Sequence, residues 1–183
     1  MFLSRLFRKK PDDDIAHRLY VHVADQARQP VFYREGGVRD SLDGRFDMLA
    51  LHLFLVLRRL GGNPADRAAT LLGQQLFDVM FGDMDRSLRE MGVGDLTVGK
   101  RIRDMSEAFY GRVQAYEAGL QDADSVTLMA ALERNLYRGA PPAPGLLASM
   151  ATYVRELAVY LQGRPVDEFL AGELNFAIQP RFS

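Results

Sequence analysis

The sequence predicts an all-α fold, a single compact helical domain of about six to seven helices. Three observations carry that prediction. Apolar residues recur at steps of three and four over long stretches, and clusters of Gly and Pro interrupt them at helix-length intervals. No stretch shows the alternation of a half-buried strand. With 183 residues and 48% hydrophobic content, the chain can bury one sizeable core.

The elements follow in order. Asp12 to Asp14 place carboxylates at a helix start, and Ile15, Leu19, Val23 and Ala27 continue the pattern to about Arg28. Pro30 ends it, and Val31 to Arg39, with Gly36-Gly37, reads as a loop. A second helix starts near Asp43, carries Phe46, Leu49, Leu53, Val56 and Leu60 on one stripe, and stops at Gly61-Gly62. Asn63-Pro64 reads as an N-cap and first-turn proline for a third helix reaching Met91. Its inward residues are Leu72, Leu76, Val79, Met80, Met84, Leu88 and Met91. Gly73 and Gly82 lie inside it at a cost of about 1 kcal/mol each relative to Ala, so Gly82 is expected at a kink or a close helix contact.

Asp95 is expected to cap the fourth helix after Gly92-Val93-Gly94. Its stripe is Val98, Ile102, Met105, Phe109, Val113 and Tyr116, with Lys100, Asp104, Glu107 and Gly111 opposite. Gly111 inside so strong a helix is expected to admit another backbone. Tyr110 falls off the stripe, as a partly buried packing residue or an exposed contact for a partner. Helices near 125–138 and ending at Leu161 flank the proline-rich turn Pro141 to Pro144, and Pro165 opens a last short turn. The organisation is a basic tip over 1–11, a helical domain over 12–171 and a tail over 172–183.

The tip, MFLSRLFRKK, sets Phe2, Leu3, Leu6 and Phe7 beside Arg5, Arg8, Lys9 and Lys10. Charge follows a very short apolar stretch with no small-residue cleavage site, so it is not a secretory signal. Those eight residues are candidates for peripheral membrane contact, apolar side in the headgroups and cations on anionic lipid. A docked terminus is the competing reading. The longest apolar run, Met48 to Leu57, would span about 15 Å as a helix, half a hydrocarbon core, and reads as a buried core helix.

Several chemistries are excluded or left without support. Lys and Arg number 23 against 24 Asp and Glu, a balance that argues against nucleic-acid binding. There is no cysteine, hence no disulfide, thiolate nucleophile or cysteine metal site. His17 and His22 are five apart, which is not the spacing of paired metal ligands on a helix, and His52 reads as a core histidine with one hydrogen bond. Asp83 and Asp85 diverge by about 200° on a helix and cannot share one atom. Asp85 with Arg89, and Arg86 with Glu90, have the spacing of ordinary stabilising pairs. Gly94 to Lys100 matches G-x-x-x-x-G-K, but a helix precedes it and Arg101 stands where Ser or Thr should hold magnesium.

The stretch Gln75 to Tyr116 carries a longer ordered pattern: Phe77, Asp83, Asp85, Leu88-Arg89-Glu90-Met91-Gly92, Gly94-Asp95, Val98-Gly99-Lys100 and Glu107-Ala108-Phe109-Tyr110-Gly111-Arg112. It resembles the signature of the ubiquinol–cytochrome c chaperone family, the cytochrome b assembly factors of the respiratory bc1 complex. The resemblance implies an all-helical, non-enzymatic protein that binds newly made cytochrome b and supports its maturation, without a cofactor or metal. In mitochondrial members it implies a small helical co-chaperone and proximity to the ribosomal exit. This chain is shorter and shows no organelle-targeting leader, so a bacterial member is expected, cytoplasmic or peripheral on the cytoplasmic face of the inner membrane.

Met and Phe can present a deformable apolar surface to such a client. Phe32, Phe81, Tyr110, Phe176 and Phe182 fit the core stripes least and are expected to line an exposed groove. Asp83, Asp85, Glu90 and Asp95, with Arg89, Lys100, Arg101 and Arg112, are expected to form its rim, and Phe109 is grouped with the client contacts. The alternatives are an enzyme for a nucleotide or phosphorylated ligand at 94–100, and a helical adaptor with another client.

Overall fold

The structure is a computed structural model that describes residues 11–182, with side-chain surroundings from Ile15 onward. The candidate membrane-contact residues Phe2, Leu3, Arg5, Leu6, Phe7, Arg8, Lys9 and Lys10 lie outside the described residues. Six long helices are present: α1 Pro11–Ala27, α3 Leu42–Leu60, α4 Arg67–Glu90, α5 Asp95–Gln121, α6 Val126–Asn135 and α7 Leu146–Gln162. Two five-residue helices, α2 Pro30–Arg34 and α8 Val166–Leu170, complete the described chain, which contains no strand. The fold is all-α, as the periodicity predicts.

The apolar run makes α3 the central helix. Every residue from Phe46 to Val56 is buried, and α3 touches α1, α4, α5 and α7. Its start is fixed by Ser41, whose hydroxyl accepts from the Gly44 amide at 3.1 Å. The α4–α5 hairpin turns at Gly92, whose φ of 80° is left-handed, and the Val93 amide closes the turn on the Leu88 carbonyl. Between α5 and α6 the packing is backbone-close: a Cβ on Gly119 would lie 2.6 Å from Leu128 Cα.

Three boundaries differ from expectation. Val31 to Arg39 is not all loop, because Pro30 sits in the first turn of α2 and pre-sets its φ. The third long helix starts at Arg67 rather than after Asn63: Asp66 is the cap, accepting from the Ala69 amide at 3.0 Å. Asn63 instead closes a local turn by accepting from the Ala65 amide. Gly94 occupies the cap of α5, and Asp95 is already helical.

The tail has no regular structure, yet it is not free. Phe176 packs edge-on to His52 with ring centres 5.8 Å apart, and Phe182 meets Phe32 at 6.4 Å. This corrects the expected groove residues. Phe32 is fully buried on α2, Phe176 and Phe81 are each 8% exposed, and Phe182 is half-buried. Of the five, only Tyr110 is exposed, at 58%.

Candidate functional site

The α4–α5 hairpin contributes to two surface grooves, and an aromatic cluster lies between its helices. Phe77 stands at its centre, with ring centres 4.6 Å from Phe81, 5.5 Å from Phe109 and 5.7 Å from Tyr110. Phe81 and Phe109 are therefore core residues rather than free contacts, a correction with a simple cause: each fills the seam between α4 and α5. Tyr110 lies over Phe77 at the lip of the smaller groove, of about 610 Å³, whose floor includes Leu57, Phe77 and Val113.

The larger groove, of about 980 Å³, is built by four helices. Ala24 and Ala27 come from α1, Phe46 and Leu49 from α3, Met84, Leu88 and the following Met91 from α4, and Met105 and Ala108 from α5. Its edge carries Arg28, Glu90, Arg101 and Asp104. The apolar stripe of α5 is only partly covered here. Ile102 and Met105 stay half-exposed, and Met91, read from the sequence as inward, is 54% exposed. Leu96, at the start of α5, is 96% exposed.

Beneath this groove lies a buried charge network. Asp47 is fully buried in α3, and its carboxylate accepts from the Arg112 guanidinium at 2.6 Å and from Arg138 Nε at 2.7 Å. Arg138 also reaches Asp43 at 3.3 Å. Burial pushes the Asp47 carboxyl above its ordinary range, against the pull of the two guanidiniums. Arg112 is 11% exposed and its Nε has no partner, so its charge is committed to the interior. It lines the groove from below and is not a rim residue.

The other expected rim residues are spread out. Only Glu90 and Arg101 stand at the edge of the larger groove. Asp83 accepts from the Tyr20 hydroxyl at 2.6 Å and meets Arg86 at 3.6 Å, which ties α4 to α1. The expected Arg86–Glu90 pair does not form, because Arg86 turns to Asp83. Arg89 pairs with Asp85 one turn back on α4 and with Asp95 across the hairpin turn, while Lys100 is exposed and lines neither groove.

His52 is the one buried histidine. Its Nδ1–H donates to the Met48 carbonyl at 2.9 Å, Nε2 accepts from the Tyr153 hydroxyl at 2.7 Å, and Gln26 donates to that hydroxyl at 3.0 Å. Burial holds its pKa down to about 4, so the ring is neutral. With both ring nitrogens satisfied inside the core, this chain of bonds is structural. Among the described residues no cluster of three His, Asp or Glu side chains could hold a metal ion.

One reading from the sequence is upheld and another corrected. Gly94 to Lys100 is not a phosphate loop, since residues 95–100 are α5 and the Val98 amide bonds the Gly94 carbonyl at 3.0 Å. Gly82 and Gly111 admit no neighbouring backbone, because a Cβ on either would meet nothing within 4 Å. The close approach is at Gly119, which the sequence pattern did not single out. Nor were Arg28, Phe46 and Asp47 singled out for the site. The available signal was an aspartate set between Phe46 and Met48 in an otherwise apolar helix.

The site is thus an all-helical frame with open apolar grooves, methionine and tyrosine at their mouths and a buried ion-pair network beneath the larger one. The chain belongs to the ubiquinol-cytochrome C chaperone family, whose profile matches residues 34–176. It is 27% identical over 146 residues to ubiquinol-cytochrome-c reductase complex assembly factor 1 of Xenopus laevis, covering 80% of this chain and 72% of that protein. The human protein of that name is 25% identical over 162 residues, and the match spans 53% of its length. The crystal structure of the Cbp3 homolog from Brucella abortus superposes with a TM-score of 0.79 at 36% identity, covering 90% of this chain and 89% of that one. No helix among the described residues is long and apolar enough to cross a membrane.

Proposed function

We propose that this protein is an assembly chaperone of the bc1 complex that binds newly made cytochrome b and performs no catalysis. The observation that carries the reading is the larger groove. An apolar segment of a membrane protein that has not yet reached its partners exposes side chains to water, and covering them is favourable in proportion to area. The groove offers an apolar floor from four helices, three methionines that repack around varied side chains, and an edge of both signs that orients what lies there. This is the geometry of an apolar helix laid into a groove. Family membership supports the client class, since the related assembly factors carry the reductase complex in their names.

In this reading the protein works peripherally at the cytoplasmic face of the inner membrane, with its basic tip contributing lipid contact. A second helical partner has the smaller groove beside Tyr110 available to it. The test is genetic. Deleting the gene lowers assembled bc1 complex and the cytochrome b spectrum while unrelated respiratory complexes persist. Met105→Glu, a charge in the groove floor, fails to restore them, whereas the wild-type chain does. Normal cytochrome b spectra in the deletion strain overturn the proposal.

A further inference from the structure

The methionines of this chain are segregated. Met48, Met80 and Met150 are fully buried. Met84, Met91 and Met105 converge on the larger groove, with Met91 54% exposed and the other two half-exposed. Met129 on α6, also half-exposed, lines neither groove. The chain contains no cysteine, so no thiol of its own competes for an oxidant.

We propose that Met91, Met84 and Met105 form a sulfoxidation site that switches the groove off. The inference rests on the proposed docking of a client helix there. A hydroperoxide is the oxidant. A thioether sulfur lone pair attacks one peroxide oxygen, the S–O bond forms as the O–O bond breaks, sulfur loses two electrons, and hydrogen peroxide leaves as water. The product replaces a flexible apolar side chain with a polar one carrying a strong acceptor, and sulfoxide reductases reverse it with thiol electrons. In an apolar floor that acceptor needs a donor. Arg28 and Arg101 stand on the edge and have no salt-bridge partner among the described residues, so their guanidiniums can turn to it. The oxidised groove is then polar and satisfied, and an apolar helix no longer gains by entering it.

The first test is a hydrogen peroxide titration of the full chain followed by peptide mapping. Met91 is expected to oxidise first, and the groove three roughly tenfold faster than Met48, Met80 and Met150, as access to sulfur dictates. Equal rates, or Met129 ahead of Met91, overturn the site. The second test is capture of cytochrome b from solubilised membranes by the tagged full chain, before and after peroxide. Capture by the wild type is expected to fall about tenfold, while Met84→Leu/Met91→Leu/Met105→Leu, at whatever level it captures before peroxide, retains that capture after it. The single Met91→Leu variant, changed at the most exposed position, keeps part of it. Equal losses in wild type and variants overturn the switch. Absence of capture before peroxide overturns the client reading instead. The switch is then read with the apolar dye anilinonaphthalene sulfonate, whose binding must fall on oxidation of the wild type and not of the leucine variants. Unchanged dye binding rejects it.

Discussion

At the scale of single residues, two buried polar groups set how this molecule responds to pH and to mutation. His52 is neutral in the fold, its pKa held down to about 4, while an unfolded histidine titrates near 6.5. Between those values the unfolded chain takes up a proton that the folded chain does not. Its contribution is therefore complete above about pH 6.5 and is lost as pH falls toward 4, by at most about 1.4 kcal/mol per pH unit. Urea unfolding at pH 7 and pH 5 is expected to show that loss, and His52→Gln to show a flatter dependence. An equally steep slope in the variant contradicts the assignment. Asp47 answers a different question. Its removal by Asp47→Ala leaves Arg112 buried beside an empty carboxylate position, a change expected to cost about 3–5 kcal/mol in chemical denaturation. A loss below about 1 kcal/mol would show that the network carries little stability. The sequence announces His52 as a core residue because it interrupts an apolar run. It does not announce Tyr153, 101 positions away, because side-chain partners across a fold leave no periodic trace.

At the scale of elements, α5 shows what helical periodicity does and does not convey. The stripe from Val98 to Tyr116 was legible, and so was the hairpin at Gly92. What covers each turn of the stripe was not, since an apolar stripe looks the same whether a neighbouring helix or a client lies on it. Only Val98, Phe109, Tyr116 and Gly119 of α5 are buried. The same limit explains α2: five residues cannot show a period, and Gly36-Gly37 just after them suggested a loop. Glycine roles need the third dimension as well. Gly111 faces open space, so Gly111→Ala is expected to stabilise the protein by about 0.5–1 kcal/mol through helix propensity alone. Gly119→Ala would press a methyl into the Leu128 backbone and is expected to lower stability by more than 1 kcal/mol, roughly the scale of core overpacking. Thermal melts of the two variants moving in the same direction would contradict the packing of α5 on α6.

At the scale of the whole molecule, the groove belongs to no single segment. The signature stretch Gln75 to Tyr116 supplies its α4 and α5 walls, and these were legible as a pattern. The α1 and α3 walls come from residues that look like ordinary core in sequence, Ala24, Ala27, Phe46 and Leu49. All four are buried, at 6% exposure or less, so the open apolar surface of the groove is contributed mainly by Met84, Met91 and Met105. The expected rim dissolved because its residues are paired elsewhere: Asp83 bonds Tyr20 of α1, and Arg89 is held by Asp85 and Asp95. Asp83, Asp85, Asp95, Arg89 and Arg112 are thus taken up by internal pairing, with Arg28, Glu90, Arg101 and Asp104 left at the edge. The most direct measurement is photocrosslinking in growing cells from a photoreactive phenylalanine at position 101, on the groove edge, against one at position 159 on α7, where Val159 is 75% exposed and lines neither groove. A cytochrome b adduct is expected from position 101 and none from 159. An adduct from 159 alone, or equal adducts from both, contradicts docking in the groove.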